Sequence, residues 1–94
     1  MISREEAYSK AYIVSATTTQ VKGGPGVLKS IILNKPVASS TISLIDNTSG
    51  TTVNIAIITN TTDVKPYQLD YNIKFATGLR IITSGADDIT VVYQ

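Results

Sequence analysis

The chain has 94 residues, with eight Lys or Arg against seven Asp or Glu, so its formal net charge is +1. This balance lacks the basic footprint of a nucleic-acid-binding domain, and the absence of Cys and His excludes the common zinc sites and Ser–His–Asp or Cys–His catalysis. No apolar run approaches the ~20 residues of a membrane-spanning helix, and the length predicts one domain with a modest core.

Residues 1–10 differ from the remainder because charges are concentrated there and apolar alternation is lacking. Ser3 followed by Glu6 matches a capping box, although a single helical turn is marginal in water. Two interpretations stay open: a frayed terminus, or an arm that becomes ordered on a neighbouring subunit. The segment has no hydrophobic stretch of the kind found in signal peptides, which predicts synthesis in the cytoplasm.

Residues 11–94 are predicted to form one β domain of seven short strands. The clearest strand is 67–75, where apolar and polar side chains alternate without a break and so lie on opposite faces. The strands are predicted over residues 11–21, with an irregular stretch at 17–19, and over 27–33, 41–45, 53–59, 67–75, 79–83 and 88–93. Gly-, Pro-, Asn- and Asp-rich turns separate them. The expected fold is all-β, an antiparallel sandwich of jelly-roll or immunoglobulin-like type, with a closed barrel as the alternative.

The alternation also predicts which side chains face the core. The inward residues are expected to be Ile42, Leu44, Val53, Ile55, Ile57, Leu79, Ile81, Ile89 and Val91, with Tyr67, Tyr71 and Tyr93 also in the core. Four β-branched residues, Ile45, Ile58, Ile82 and Val92, are then expected to point outward. They are either scattered singly or gathered into one interface patch. With the charged start and Tyr8, they make up the candidate interface residues: Arg4, Glu5, Glu6, Tyr8, Ile45, Ile58, Ile82 and Val92.

No constellation in the chain predicts catalysis. Most of the candidate carboxylates are in or beside predicted turns, where Asp is favoured for local hydrogen bonds. They are Asp46, Asp63, Asp70, Asp87 and Asp88. The Gly-rich stretch 22–26 has its Lys before the Gly residues, the reverse of a phosphate-binding loop, and predicts a turn or bulge. We therefore expect no enzyme activity, no metal and no cofactor.

Three stretches resemble a group of small all-β structural proteins of tailed bacteriophages. They are Val21-Lys-Gly-Gly-Pro-Gly-Val-Leu-Lys-Ser-Ile31, Thr41-Ile-Ser-Leu-Ile-Asp-Asn-Thr48, and the segment from Pro66-Tyr67 through Phe75-Ala-Thr-Gly-Leu79 to Asp88-Ile-Thr-Val-Val-Tyr93. The resemblance covers most of the chain outside residues 1–10 and implies a virion component.

That resemblance implies an accessory capsid or decoration protein, made in the host cytoplasm, that binds the major capsid protein or another virion protein. A homo-oligomer, with a trimer favoured, would suit a shell's local symmetry. The alternative is a carbohydrate- or receptor-binding module of a phage tail or fibre. Neither function involves nucleic acid or a membrane.

Overall fold

A computed structural model of the protein describes residues 8–50, 52–62 and 65–94. These residues form eight β-strands and no helix. The strands are β1 (Ser9–Ile13), β2 (Thr18–Gly23), β3 (Gly26–Lys35), β4 (Thr41–Ile45), β5 (Asn54–Thr59), β6 (Tyr67–Phe75), β7 (Gly78–Thr83) and β8 (Asp88–Tyr93). The all-β prediction is confirmed, whereas the expected number of seven strands is wrong.

The discrepancy arises from residues 11–21, which were predicted to form one strand. The chain instead leaves one sheet after Ile13 and enters the other at Thr18. The Thr83 side chain holds this crossing, because its Oγ1 donates to the carbonyl of Ser15 at 2.6 Å and accepts from the amide of Thr17 at 3.1 Å. Ser9 and Lys10, expected in the N-terminal arm, belong to β1.

The strands form two four-stranded antiparallel sheets. In the first sheet the order is β1-β8-β3-β6, and in the second it is β2-β7-β4-β5. Every pairing is antiparallel, with irregular registers in β2, β3, β5 and β6. Strands β1, β6, β2 and β5 are therefore the sheet edges.

One hydrophobic core lies between the sheets, because both sheets contribute side chains to the same buried cluster. The first sheet contributes Ile13, Leu28, Ile31, Leu33, Phe75, Ile89 and Val91; the second contributes Ile42, Leu44, Ile58, Leu79 and Ile81. Leu69, Tyr71 and Tyr93 pack against this cluster, as predicted. Burying each of the larger side chains stabilises the fold by about 1.5–3 kcal/mol relative to exposure.

Ile55 of β5 packs against the core as predicted, but the predicted faces of the next residues are wrong. Ile58 is buried and Ile57 is exposed, the reverse of the expectation. In an antiparallel pair, directly opposed residues share a face, and β4 places the inward Ile42 opposite Ile58. Since both phases of β5 carry Ile, pairing with β4 decides the face, and a one-residue change of register inverts it.

Val53, predicted to start this strand on its inward face, is also exposed and lies outside β5. Its φ of 63° is in the left-handed region, which β-branched residues rarely adopt. This conformation is incompatible with a regular strand, so β5 begins after Val53.

Ile45 is fully buried, although its phase is outward as predicted. The loop that follows β4 folds back over the outer face of the second sheet. There, Gln20 Nε2 donates to the carbonyl of Asn47 at 3.1 Å, and Arg80 Nη1 donates to that of Thr48 at 3.5 Å. Ile45 is opposite Arg80 in the ladder and is covered with it.

Candidate functional site

A buried carboxylate joins three separate segments at one end of the molecule. Asp87 has no exposed surface. Its Oδ1 accepts from the amide of Val37 at 2.5 Å and from Asn60 Nδ2 at 3.0 Å, while Ser40 Oγ donates to Oδ2 at 2.7 Å. Because internal donors occupy this carboxylate, its role is to hold the connections before β4, after β5 and before β8 together.

Sequence reasoning missed this cluster. Asp87, Ser40 and Asn60 each stand in a polar connection, where short-range turn bonds are the ordinary interpretation. Only the fold brings the three together, and the hydrogen bonds among them span 20 to 47 positions. The sequence offers no signal that would have paired them.

A cleft of about 470 Å³ lies beside this cluster, with Tyr67 on its wall and Pro36 and Thr59 among its other lining residues. The Tyr67 hydroxyl donates to Asn60 Oδ1 at 2.6 Å. Desolvation, with a smaller contribution from the negative charge of Asp87, raises the pKa of Tyr67 above its usual value. Tyr67 is 36% exposed, more than predicted for a core residue, because β6 is an edge strand.

A second carboxylate, that of Asp46, holds two turns together at the opposite end of the strands from Asp87. Asp46 accepts from the amides of Ala76 and Thr77, both at 2.8 Å, and of Gly78 at 3.3 Å. These backbone donors lower the pKa of Asp46, with Ala76 the largest contributor. The contact fixes the loop after β4 against the turn between β6 and β7, which is a structural role.

The outer face of the first sheet is polar and charged. Tyr12 is 64% exposed there and donates through its hydroxyl to Asp88 Oδ2 at 2.7 Å. Asn34 Nδ2 donates to Asp88 Oδ1 at 3.2 Å. Across the sheet, Lys10 and Asp70 occupy the row that passes through Val92.

The outer face of the second sheet has the opposite character. One row across it runs Thr18, Ile82, Ser43 and Ile57, in strand order β2-β7-β4-β5. The adjoining row pairs Thr41 with Thr59. All six carry a hydroxyl or an isoleucine side chain. The charge of Arg80 lies one row away, beneath the loop after β4. The uncovered part of this face is defined by these six residues and is called here the uncharged face, because the described part of the chain places no charged side chain on it.

The candidate interface residues do not form one patch. Ile45 and Ile58 are buried, while Ile82 and Val92 are half-buried on the outer faces of different sheets. Tyr8 is exposed, with Lys29 Nζ 5.0 Å from its ring centroid. Arg4, Glu5 and Glu6 lie outside the described residues. Of the two alternatives, the single patch is therefore not formed: Ile58 lies in the core, Ile45 is covered by the loop after β4, and the other two residues lie on different sheets.

Within residues 8–50, 52–62 and 65–94, no cluster of three acidic, His or Cys side chains is arranged to hold a metal ion. The same part of the chain contains no helix of the length and apolarity needed to cross a membrane. A comparison with protein-family models gives no match, and no curated protein is significantly similar in sequence.

Proposed function

We propose that this protein is a non-enzymatic structural protein of a tailed-bacteriophage virion, a decoration or cement protein that binds the outer surface of the head. The observation that carries the proposal is the difference between the two outer faces. A protein that sits on a shell needs one surface that can lose water at low cost and one that stays hydrated. Desolvating hydroxyls and isoleucines costs far less than desolvating unpaired charges.

The strand order supports the same proposal by analogy. We propose that the two sheets form a sandwich with jelly-roll topology, since eight strands divide into 1-8-3-6 and 2-7-4-5. Jelly rolls recur in viral capsid domains and also in lectins, so the fold alone does not choose a function. The resemblance of the turns and strand ends to phage accessory proteins favours the virion.

The proposed contact places the uncharged face against the major capsid protein, with the charged face towards solvent. The test is co-sedimentation of the purified chain with empty shells assembled from the major capsid protein of the same genome. Thr18→Lys places a charge on the uncharged face and is expected to abolish saturable binding. Gln68→Lys introduces the same residue on the opposite outer face and should bind like the parent chain.

Failure of the parent chain to co-sediment would contradict the proposal. Equal loss of binding in both variants would also contradict it, because binding would then not depend on one face. Circular dichroism of both variants establishes that they fold.

A carbohydrate- or receptor-binding module is the second candidate, favoured by the exposed rings of Tyr8 and Tyr12 on the charged side of the protein. Aromatic rings with a polar edge suit partly wet binding surfaces. Titration of the protein with a panel of oligosaccharides, monitored through the NMR signals of Tyr12, tests this second function. Saturable binding that Tyr12→Ala removes would favour it over the shell.

A further inference from the structure

Strand β5 is the edge strand with the least protection against pairing with another strand. Natural edges usually carry charged side chains, Pro or bulges that discourage such pairing. The other three edges carry charges: Lys10 in β1, Lys22 in β2, and Asp70 and Lys74 in β6. The sequence of β5, Asn-Ile-Ala-Ile-Ile-Thr, contains neither a charge nor a Pro.

The backbone of β5 also has a regular stretch whose outward hydrogen-bonding groups pair with no strand among the described residues. Its bulge is confined to the first residues, opposite the Leu44–Ile45 step, and leaves Ala56–Thr59 regular. The amide of Asn60 donates to the carbonyl of Ser40 at 2.9 Å, so the backbone groups of Asn60 point towards β4. Because these groups alternate along an antiparallel strand, those of Ile57 and Thr59 point away from β4, to the side on which the described residues place no strand.

We propose that β5 pairs with β5 of a second copy of this chain, antiparallel and about a two-fold axis. An antiparallel strand is its own complement, since the donors and acceptors of Ile57 and Thr59 meet the same groups on the partner. No charge lies on either strand, so identical strands meet without the like-charge repulsion that opposed Lys or Asp side chains would cause. The pairing joins two four-stranded sheets into one of eight strands and continues the uncharged face across both copies.

The exposure of the Ile57 side chain also supports a second copy of the chain as the partner of β5. Ile57 is 57% exposed, and pairing gives it cross-strand Ile or Thr neighbours, which pack well on a pleated sheet. Contact through one edge covers less area than a standard stable interface, so the dimer is expected to be weak and concentration-dependent. It differs from the trimer expected from the sequence, because two-fold pairing closes at two chains.

The first test is analytical ultracentrifugation of the chain alone, over micromolar to millimolar concentrations. The expected result is a reversible increase in mass from one chain to two. Ile57→Lys brings like charges together across the axis and is expected to weaken association by at least about tenfold. Val14→Lys makes the same chemical change at a 50% exposed residue between β1 and β2 and should leave association unchanged.

The second test uses the unmodified chain and so does not depend on a variant folding. Hydrogen exchange followed by NMR should show the amides of Ile57 and Thr59 gaining protection as concentration rises. A mass of one chain throughout, a mass of three, or a dimer that Ile57→Lys leaves intact would overturn the proposal. Both tests are made without shells, so their outcome is separate from that of the co-sedimentation experiment.

Discussion

The Nδ2 atom of Asn60 lies 3.0 Å from Oδ1 of Asp87, although the two residues are 27 positions apart. Asn60 directly follows β5 of the second sheet, and Asp87 directly precedes β8 of the first. Their hydrogen bond therefore ties the two sheets together at one end, where the hydrophobic core gives way to polar connections.

Asp87→Ala is expected to lower the free energy of unfolding by about 3 kcal/mol or more. The substitution leaves the amide of Val37, Ser40 Oγ and Asn60 Nδ2 without their shared acceptor in a buried site. Urea unfolding measures the change. Asp70→Ala removes an exposed carboxylate from β6 and should cost less than about 0.5 kcal/mol. Equal losses of unfolding free energy in the two variants would show that the buried carboxylate stabilises the fold no more than an exposed one does.

Asp46 is expected to make stability fall in acid. Its folded-state pKa lies below the ordinary value of 3.8, chiefly because of the amide of Ala76. The unfolded chain therefore takes up the proton first as pH falls. The stabilisation is complete above the unfolded pKa and is lost as pH falls through the folded pKa.

Asp46→Asn tests this expectation. At pH 7 the variant should be less stable by about 1 kcal/mol, a value reduced for the solvent exposure of the carboxylate. The difference should shrink at a pH below the folded-state pKa, where both states of the parent are protonated. A difference that is the same at both pH values would assign the effect to packing instead of charge.

Tyr67 is expected to make stability fall in alkali. Desolvation, and then the charge of Asp87, raise its pKa above 10.0. The neutral phenol is therefore the form the fold favours, and the stability it provides is complete below the unfolded pKa and lost as pH rises through the folded one.

Tyr67→Phe should cost about 1 kcal/mol at pH 7, because Asn60 Oδ1 loses its donor. Above the ordinary tyrosine pKa, the gap between variant and parent in the free energy of unfolding should narrow. Unfolding measurements at a series of alkaline pH values would show this. Absorbance of the tyrosinate band should also lose one late-titrating component in the variant, while those of Tyr12 and Tyr71, whose pKa values are raised as well, remain. A gap that widens with pH would have the wrong sign for this explanation.

Val53→Asn is expected to stabilise the protein by about 1 kcal/mol. The φ of Val53 is 63°, a left-handed conformation that costs a β-branched residue about 1–2 kcal/mol and that Asn tolerates better. Little burial is lost, because Val53 is 61% exposed. The amide of Asp46 still donates to the carbonyl of residue 53, which the substitution keeps. Thermal unfolding provides the measurement, and a lower melting temperature would contradict the argument.

The sequence by itself determined the all-β class and the exact range of three strands, 41–45, 67–75 and 88–93. Their alternation is local, and Gly, Pro, Asn and Asp punctuate the chain where it must turn. Strand 67–75 shows the strength of that signal, because one phase is apolar throughout, although Tyr67 and Ile73 on that phase are 36% and 41% exposed at the sheet edge.

The tertiary structure decided between alternatives that the local sequence pattern could not distinguish. Residues 11–21 read as one strand, and only pairing with β8 and β7 divides them between two sheets. Strand β5 carries Ile on both faces, so the register with β4, not the sequence of β5, buries Ile58 and exposes Ile57. The Asp87 cluster and the uncharged face likewise unite residues from distant segments, and such contacts depend on how the strands are ordered and paired.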